Sequence, residues 1–418
     1  MKANLRFGFA LLAAAIAACS EATGPRTITA LPRPLSSAEA GLVGSANQFS
    51  IGLFKETLHQ SSASDNVFIS PLSFSMALGM ALNGAANATE SSMAQTLALD
   101  GASETDINNA YHDLVGLLTT LDPSVTMTIA NSIWYRQNYV FSPAFLATNQ
   151  QYFDATVQGL DFNSPAAAQT INGWVNDRTS GRIPSIVPAN IPTSTIMYLV
   201  NAVYFKANWT KRFDPSLTSP GVFYLEGGGT SNVPMMHSDG EIPARRYADA
   251  VADIVDLPYG GDAFSMMLIL PANGLPLDSL VSSLTPQRWQ SWTTALKGSG
   301  VLLVMPKFTM TYTLDSAQSI LQAMGMRSTF CSDPAAPPPD FSRLYSTGGV
   351  CISQVRHKTF VLVDESGTEA AAATSVGLGP TSAPLPFIID RPFLFAIRER
   401  FSGTILFIGR VMNPATVN

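Results

Sequence analysis

Glu365-Ser366-Gly367-Thr368-Glu369-Ala370-Ala371-Ala372-Ala373-Thr374 runs straight into Ser375-Val376-Gly377-Leu378-Gly379-Pro380-Thr381-Ser382-Ala383-Pro384. It is the most unusual stretch of the chain. The first part is dominated by small residues. The second part mixes Gly, Pro, Ser and Thr, so it forms neither a stable helix nor a packed core. Apolar, β-branched runs flank it at Thr359–Val363 and Phe387–Ile397, which reads as strand, loop, strand. A loop this long inside a compact domain is usually functional. Exposed loops of small polar residues are also where proteases cut. Taken by itself, the stretch also fits a plain linker.

Further strands are expected upstream and downstream of it, at Met197–Phe205, Phe264–Leu270, Val301–Phe308 and Thr404–Val411. Helices belong to the first half. Ser36-Ser37-Ala38-Glu39 fits a capping box, and Leu42, Ala46, Phe49 and Leu53 follow at helical spacing. Ser70 and Pro71 open a helix to about Leu82, and another is expected over Ala166–Arg178. There is no fixed-period repeat and no regular strand-helix alternation. The class is therefore α+β, and no polar linker after residue 40 marks a second boundary.

With 46% hydrophobic and 13% charged residues, the chain has ample material for one large core. A net charge of -6 without a basic stripe argues against nucleic-acid binding. Lys2, Arg6 and the apolar run Phe7–Ala18 read as a signal peptide, too short for a membrane span. Ile16-Ala17-Ala18-Cys19 resembles a bacterial lipobox, which implies lipid attachment at Cys19 and an outer-membrane or cell-surface location. Ordinary signal-peptide cleavage and secretion, with Cys19 incidental, is the alternative. The expected organisation is a signal peptide over residues 1–18, a tether over 19–37 and a folded domain over 38–418. Cys331 and Cys351 flank the Pro-rich loop Pro334–Pro339 and are either bridged or two free thiols.

Enzyme motifs are missing. The chain has no Gly-x-Ser-x-Gly elbow, no His-Glu-x-x-His and no phosphate-binding glycine loop. His59, His112, His237 and His357 stand in no recognisable ligand or triad context. The expectation is no catalysis, no metal and no cofactor.

The segment Glu365–Thr374 resembles the hinge of a serpin reactive-centre loop, and the resemblance extends along the chain. Asn66-Val67-Phe68-Ile69-Ser70-Pro71-Leu72-Ser73, Ile171-Asn172-Gly173-Trp174-Val175 and Asn201-Ala202-Val203-Tyr204-Phe205-Lys206-Ala207-Asn208-Trp209 are similar to serpin signatures. So are Met305-Pro306-Lys307-Phe308, His357-Lys358-Thr359-Phe360, Arg391-Pro392-Phe393-Leu394-Phe395 and the ending Phe407-Ile408-Gly409-Arg410-Val411-Met412-Asn413-Pro414. They stand in family order from about residue 38 to the end. Thr359 departs from the family's common Ala, and Ser366 from a commonly charged residue.

The resemblance implies a large central, mostly antiparallel sheet with further sheets, about eight or nine helices and an exposed reactive loop. It also implies a monomeric inhibitor of serine proteases. Counting Glu365 as the first loop residue, the seventeenth position is Thr381; counting back ten from Pro392 gives Ser382. The bond Thr381-Ser382 is thus the expected cut, flanked by Leu378, Gly379 and Pro380. Its small, uncharged Thr suits elastase-like or subtilisin-like proteases and offers nothing to a pocket that needs Lys or Arg. After cleavage the segment from Thr368 to Thr381 would enter the central sheet, spanning roughly 45 Å at about 3.3 Å per residue. Glu365, Gly367, Thr368, Glu369 and Ala370 to Ala373 form the hinge. By resemblance, Ser70, Ser73, Asn201 and His357 make a hydrogen-bonded cluster under the central strands, while Trp209, Lys307 and Glu365 lie where the loop enters. A non-inhibitory serpin acting as a binding protein is the alternative function, and an exported hydrolase a more distant one.

Overall fold

A computed structural model describes residues 26–315, 317–331, 333, 336–352, 355–369 and 385–416. Nine α-helices occur among them: α1 (Ser37–Gln60), α2 (Pro71–Leu82), α3 (Asn87–Thr96), α4 (Glu104–Thr120), α5 (Pro143–Phe153), α6 (Pro165–Arg178), α7 (Leu277–Ser283), α8 (Pro286–Ala295) and α9 (Ala317–Ala323). The strands in chain order are β1 (Val67–Ile69), β2 (Val125–Arg136), β3 (Thr156–Leu160), β4 (Met197–Asn208), β5 (Ser219–Tyr224), β6 (Thr230–His237), β7 (Ile242–Ala248), β8 (Ala252–Tyr259) and β9 (Phe264–Pro271). They continue with β10 (Lys297–Val301), β11 (Leu303–Pro306), β12 (Phe308–Thr313), β13 (Lys358–Val363), β14 (Gly367–Thr368), β15 (Phe387–Ile388), β16 (Phe393–Glu399) and β17 (Ile405–Val411).

Three sheets result. A seven-stranded sheet has the order β1-β17-β16-β9-β8-β7-β10, a four-stranded one β15-β11-β6-β5 and a six-stranded one β12-β13-β14-β4-β2-β3. In the six-stranded sheet only β2 and β3 run parallel. The α+β class and the mostly antiparallel large sheet match the sequence expectation. The β8, β9, β16 and β17 strands are buried along nearly their whole length and form the centre of the core. A smaller core lies on the other side of the six-stranded sheet, where Ile171 and Val175 of α6 pack on Trp134 of β2 and Tyr198, Val200 and Ala202 of β4. The six-stranded sheet is thus sandwiched between α6 and the body, and its side chains alternate between the two.

Local chemistry sets the helix starts. Ser36 caps α1 as expected: its hydroxyl accepts from the Glu39 N–H (3.2 Å) and the Glu39 carboxylate accepts from the Ser36 N–H (2.7 Å). Arg33 grips the same carboxylate in a fork at 2.7 and 2.6 Å, which holds the Glu39 carboxyl down at about 2. At α2 the Pro71 ring supplies the first turn, but the Ser70 hydroxyl caps nothing in the helix. It is committed to the site described below.

Three expectations differ. The run Val301–Phe308 is not one strand: β10, β11 and β12 succeed each other with single-residue breaks and belong to three different sheets. Phe387–Ile397 likewise divides, because Arg391-Pro392 interrupts it and Pro has no N–H for a ladder. The tether expected over 19–37 is docked from Arg26 onward. The Ile28 N–H donates to the Gly261 carbonyl (2.7 Å), and Ile28, Leu31 and Leu35 pack on the core. Cys331 and Cys351 are bridged by a disulfide, their Cα atoms 5.5 Å apart. Among the described residues no helix is long and apolar enough to cross a membrane.

Candidate functional site: a strand seated in a parted sheet

Asp364 to Gly367 make a tight turn at the end of β13. The Asp364 N–H donates to the Gly367 carbonyl (3.0 Å), and the Asp364 carboxylate accepts from the Ser366 and Gly367 N–H groups at 2.9 and 3.3 Å. Burial raises the Asp364 carboxyl above its usual range, although these two bonds oppose the shift. The turn sends the chain back between β13 and β4. Thr368 pairs with Val363 on one side and Ala207 on the other, and Gly367 pairs with Asn208. The Glu369 N–H continues the ladder to the Leu362 carbonyl (3.0 Å).

Only glycine fits at 367. Its φ is +152°, and a Cβ there would sit 2.1 Å from the Ala207 carbonyl oxygen. Thr368 is 3% exposed, and its hydroxyl meets the Tyr259 hydroxyl at 2.6 Å. Tyr259 stacks on Trp209, with ring centroids 4.5 Å apart and planes inclined by 10°. Burial pushes the Tyr259 hydroxyl far above its ordinary pKa, so it stays protonated.

Trp209 closes the mouth. Its backbone N–H donates to the Ser366 carbonyl (2.9 Å) and its indole N–H to the Asp364 carbonyl (2.9 Å). Lys307 reaches Glu365 at 2.7 Å, the pair expected from the sequence. The other Glu365 oxygen accepts from the Thr218 hydroxyl (2.6 Å). Burial alone would raise the Glu365 carboxyl; the Lys307 and Thr218 bonds outweigh it and leave the group below its ordinary value.

Among the described residues β4 and β13 share no register pair, and β14 alone pairs with both. At this row the two strands therefore stand two strand spacings apart, about 9.6 Å. Asn201 and His357 are each six residues below their strand's residue in that row, since 207 − 201 and 363 − 357 are both six. They occupy matching levels on opposite banks of the cleft.

The expected single cluster around them is divided. On one bank, His357 Nε2 accepts from the Ser70 N–H (3.0 Å), the Ser70 hydroxyl donates to the Leu406 carbonyl (2.9 Å), and the imidazole meets the Phe74 ring edge-on at 5.1 Å. Burial drives the imidazole down to about 3, so it is neutral. Thr359, the departure from the common Ala, donates to the Phe68 carbonyl (2.5 Å) on the same bank. On the other bank, the Asn201 amide donates to Asn131 Oδ1 (2.6 Å) and reaches Met76 Sδ at 3.9 Å. Ser73 is buried on α2 and takes no part in the Ser70–His357 bond. Among the described residues no hydrogen bond joins Asn201 to His357, and Asn201 Oδ1 is buried without a hydrogen-bond partner.

Ala370, Ala371, Ala372, Ala373, Leu378, Gly379, Pro380, Thr381, Ser382 and Cys19 lie outside the described residues. Sequence reasoning missed Tyr259, Thr218, Asn131, Tyr204 and Arg182. Tyr204 stood inside a quoted signature; the others carried no local signal, because the fold brings them in from distant segments.

The profile of the serpin (serine protease inhibitor) family matches residues 44–414. The chain belongs to the serpin family. Human neuroserpin is 31% identical over 364 residues, covering 85% of this chain and 87% of neuroserpin. Leukocyte elastase inhibitor A of Mus musculus is 33% identical, covering 89% of this chain and 99% of that one. Human thyroxine-binding globulin complexed with thyroxine superposes with a TM-score of 0.80 at 28% identity, covering 91% of this chain and 100% of the globulin. Serpins are in general serine protease inhibitors, and the similar proteins include both an elastase inhibitor and a thyroxine-binding globulin. The strand β14 is thus seated between β13 and β4 in this serpin's six-stranded sheet.

Proposed function

We propose that this serpin is an irreversible suicide-substrate inhibitor of serine proteases of the elastase-like or subtilisin-like kind, cut at Thr381-Ser382. The observation that carries the reading is β14: the first hinge residues are accepted between β13 and β4 with bonds to both. Thr368 faces the body, toward Tyr259. A strand continuing from it with the same two-residue period would turn Ala370, Ala372, Thr374, Val376, Leu378 and Pro380 to the body. It would turn Ala371, Ala373, Ser375, Gly377 and Gly379 toward the α6 side. The loop thus carries the small and apolar pattern of a sheet strand buried on both faces, although it begins as bait.

The chemistry follows from that. The protease serine attacks the Thr381 carbonyl carbon, the peptide bond to Ser382 breaks, and the acyl group stays on the protease as an ester. The Ser382–Asn418 piece stays in place, because β16 and β17 are central strands of the core. The piece ending at Thr381 is free to enter the cleft, taking the ester-linked protease with it. The trap succeeds when insertion outruns water.

A second reading, a non-inhibitory serpin that binds a ligand, draws on the likeness to thyroxine-binding globulin. The small-residue hinge speaks against it. We further read the chain as exported, with a lipid on Cys19 as its membrane tie. Incubation with elastase and subtilisin, followed by denaturing electrophoresis and mass spectrometry, tests the function. The expected result is an SDS-stable complex and a released peptide beginning at Ser382. Cleavage elsewhere, without complex, contradicts it.

A further inference from the structure

Ser180 (φ +50°) and Gly181 (φ +81°) follow the end of α6 in left-handed conformations, which turn the chain back over the sheet. The turn is firmly held. The Thr179 hydroxyl donates to the Val175 carbonyl (2.8 Å) and accepts from the Ile183 N–H (3.1 Å), and Ile183 is buried against α6. Arg182 is thereby presented to the cleft. Its guanidinium lies 5.0 Å from the centroid of Phe360 on β13 and forms an ion pair with Glu369. The Tyr204 hydroxyl on β4 is pushed up to about 12, first by burial and then by the neighbouring Glu369 carboxylate. The Glu369 side chain is 3% exposed and that of Arg182 is 44% exposed. One cation therefore packs on the β13 bank of the cleft and meets the carboxylate that follows the seated Thr368. Glu369 itself is left-handed (φ +58°), a conformation uncommon outside glycine.

We propose that Arg182 is a positioning residue for trapping, one that captures the Glu369 carboxylate as the hinge seats and so commits the loop to insertion. The physical need is specific. Glu369 is the one charged residue between Thr368 and Thr381, and it must pass under the α6 turn to let the rest of the loop follow. A carboxylate entering a sheet without a cation is strongly disfavoured. A partner already mounted on the α6 turn removes that barrier early, before deacylation. Phe360 flanks the guanidinium from β13, and Tyr204 flanks the carboxylate from β4.

The inference rests on the trapping reading above, and the test separates the two. The quantity is the partition between trapped complex and cleaved, released inhibitor. Arg182→Gln should lower that ratio about three- to tenfold, because it strands the Glu369 carboxylate; Glu369→Gln, which removes that charge, should lower it less, and the double variant should fall no further than Arg182→Gln alone. Arg182→Lys should restore part of the loss, and the melting temperature of the uncleaved protein should not track the ratio. An unchanged partition in Arg182→Gln, with the parent still trapping, overturns this inference alone. A parent that is cleaved without complex or stabilisation overturns the trapping reading and this one with it. Additive losses in the double variant would show that the two residues act separately, which also overturns it.

Discussion

The mouth and the middle of the cleft between β4 and β13 are satisfied in opposite ways. At the mouth bonds reach across the cleft: β14 bonds to both strands, and Trp209 bonds to Asp364 and Ser366. Six residues below, each bank looks after itself, with His357 on Ser70 and Asn201 on Asn131. A buried polar group that lost its partner whenever the sheet parted would make parting expensive. Partners on its own bank let the middle open without leaving a buried donor stranded. The mouth, by contrast, is stitched, so the place where the strand starts is fixed. The difference teaches that one sheet can be both ready to open and particular about where it is filled.

The largest effect should come from breaking the mouth. Thr368→Arg puts a charge at a 3%-exposed site beside Tyr259, costing several kcal/mol. The variant should be cut as a substrate without trapping, read as cleaved product with no complex on a denaturing gel. Trapping by this variant would break the comparison.

Gly367→Val should come next. With a Cβ placed 2.1 Å from the Ala207 oxygen and a φ of +152°, it should lose about 2–3 kcal/mol of stability by urea titration. The same change at Gly173, where a Cβ meets nothing within 4 Å, should cost only about 1 kcal/mol or less.

The middle should reveal itself through pH. His357 is buried neutral, its pKa brought from 6.5 to about 3. A depressed folded pKa means that its stabilisation is complete above 6.5 and is lost as pH falls from there toward 3. Between pH 7 and pH 5 the parent should lose about 2 kcal/mol through this group, and His357→Gln should flatten that slope in urea titrations.

The smallest effect belongs to the exposed side of the mouth. Glu365 lies below its ordinary value, so its contribution is present above that value and is lost as pH falls through the lowered one. Lys307→Met should let burial dominate and raise the carboxyl above its ordinary value, so that the group's contribution falls as pH rises instead of as pH drops. Because Lys307 is 35% exposed, the cost near neutrality should be about 1 kcal/mol or less.

Much of this was legible in the chain itself. Ser36 and Glu39 marked a capped helix, and Lys307 with Glu365 marked an ion pair, because each of those signals is local or belongs to a family signature. The division of Val301–Phe308 among three sheets was not legible: Leu302 and Lys307 are ordinary strand residues, and only the sheets to which the strands pair reveal the breaks. The docking of Ile28, Leu31 and Leu35 was hidden by a Pro- and Thr-rich setting without periodicity. Arg182 and Tyr259 were invisible for a simpler reason. They lie more than a hundred residues from the hinge, and only the fold brings them to it.

Insertion is the central claim, and stability after cleavage tests it most directly. The purified protein is cut in the reactive loop by elastase, and the melting temperatures of the intact and cut forms are compared. Insertion of the cut loop predicts a clear rise in melting temperature, together with an SDS-stable complex in the same incubation. A cut form that melts no higher than the intact protein, with no complex, would contradict the account.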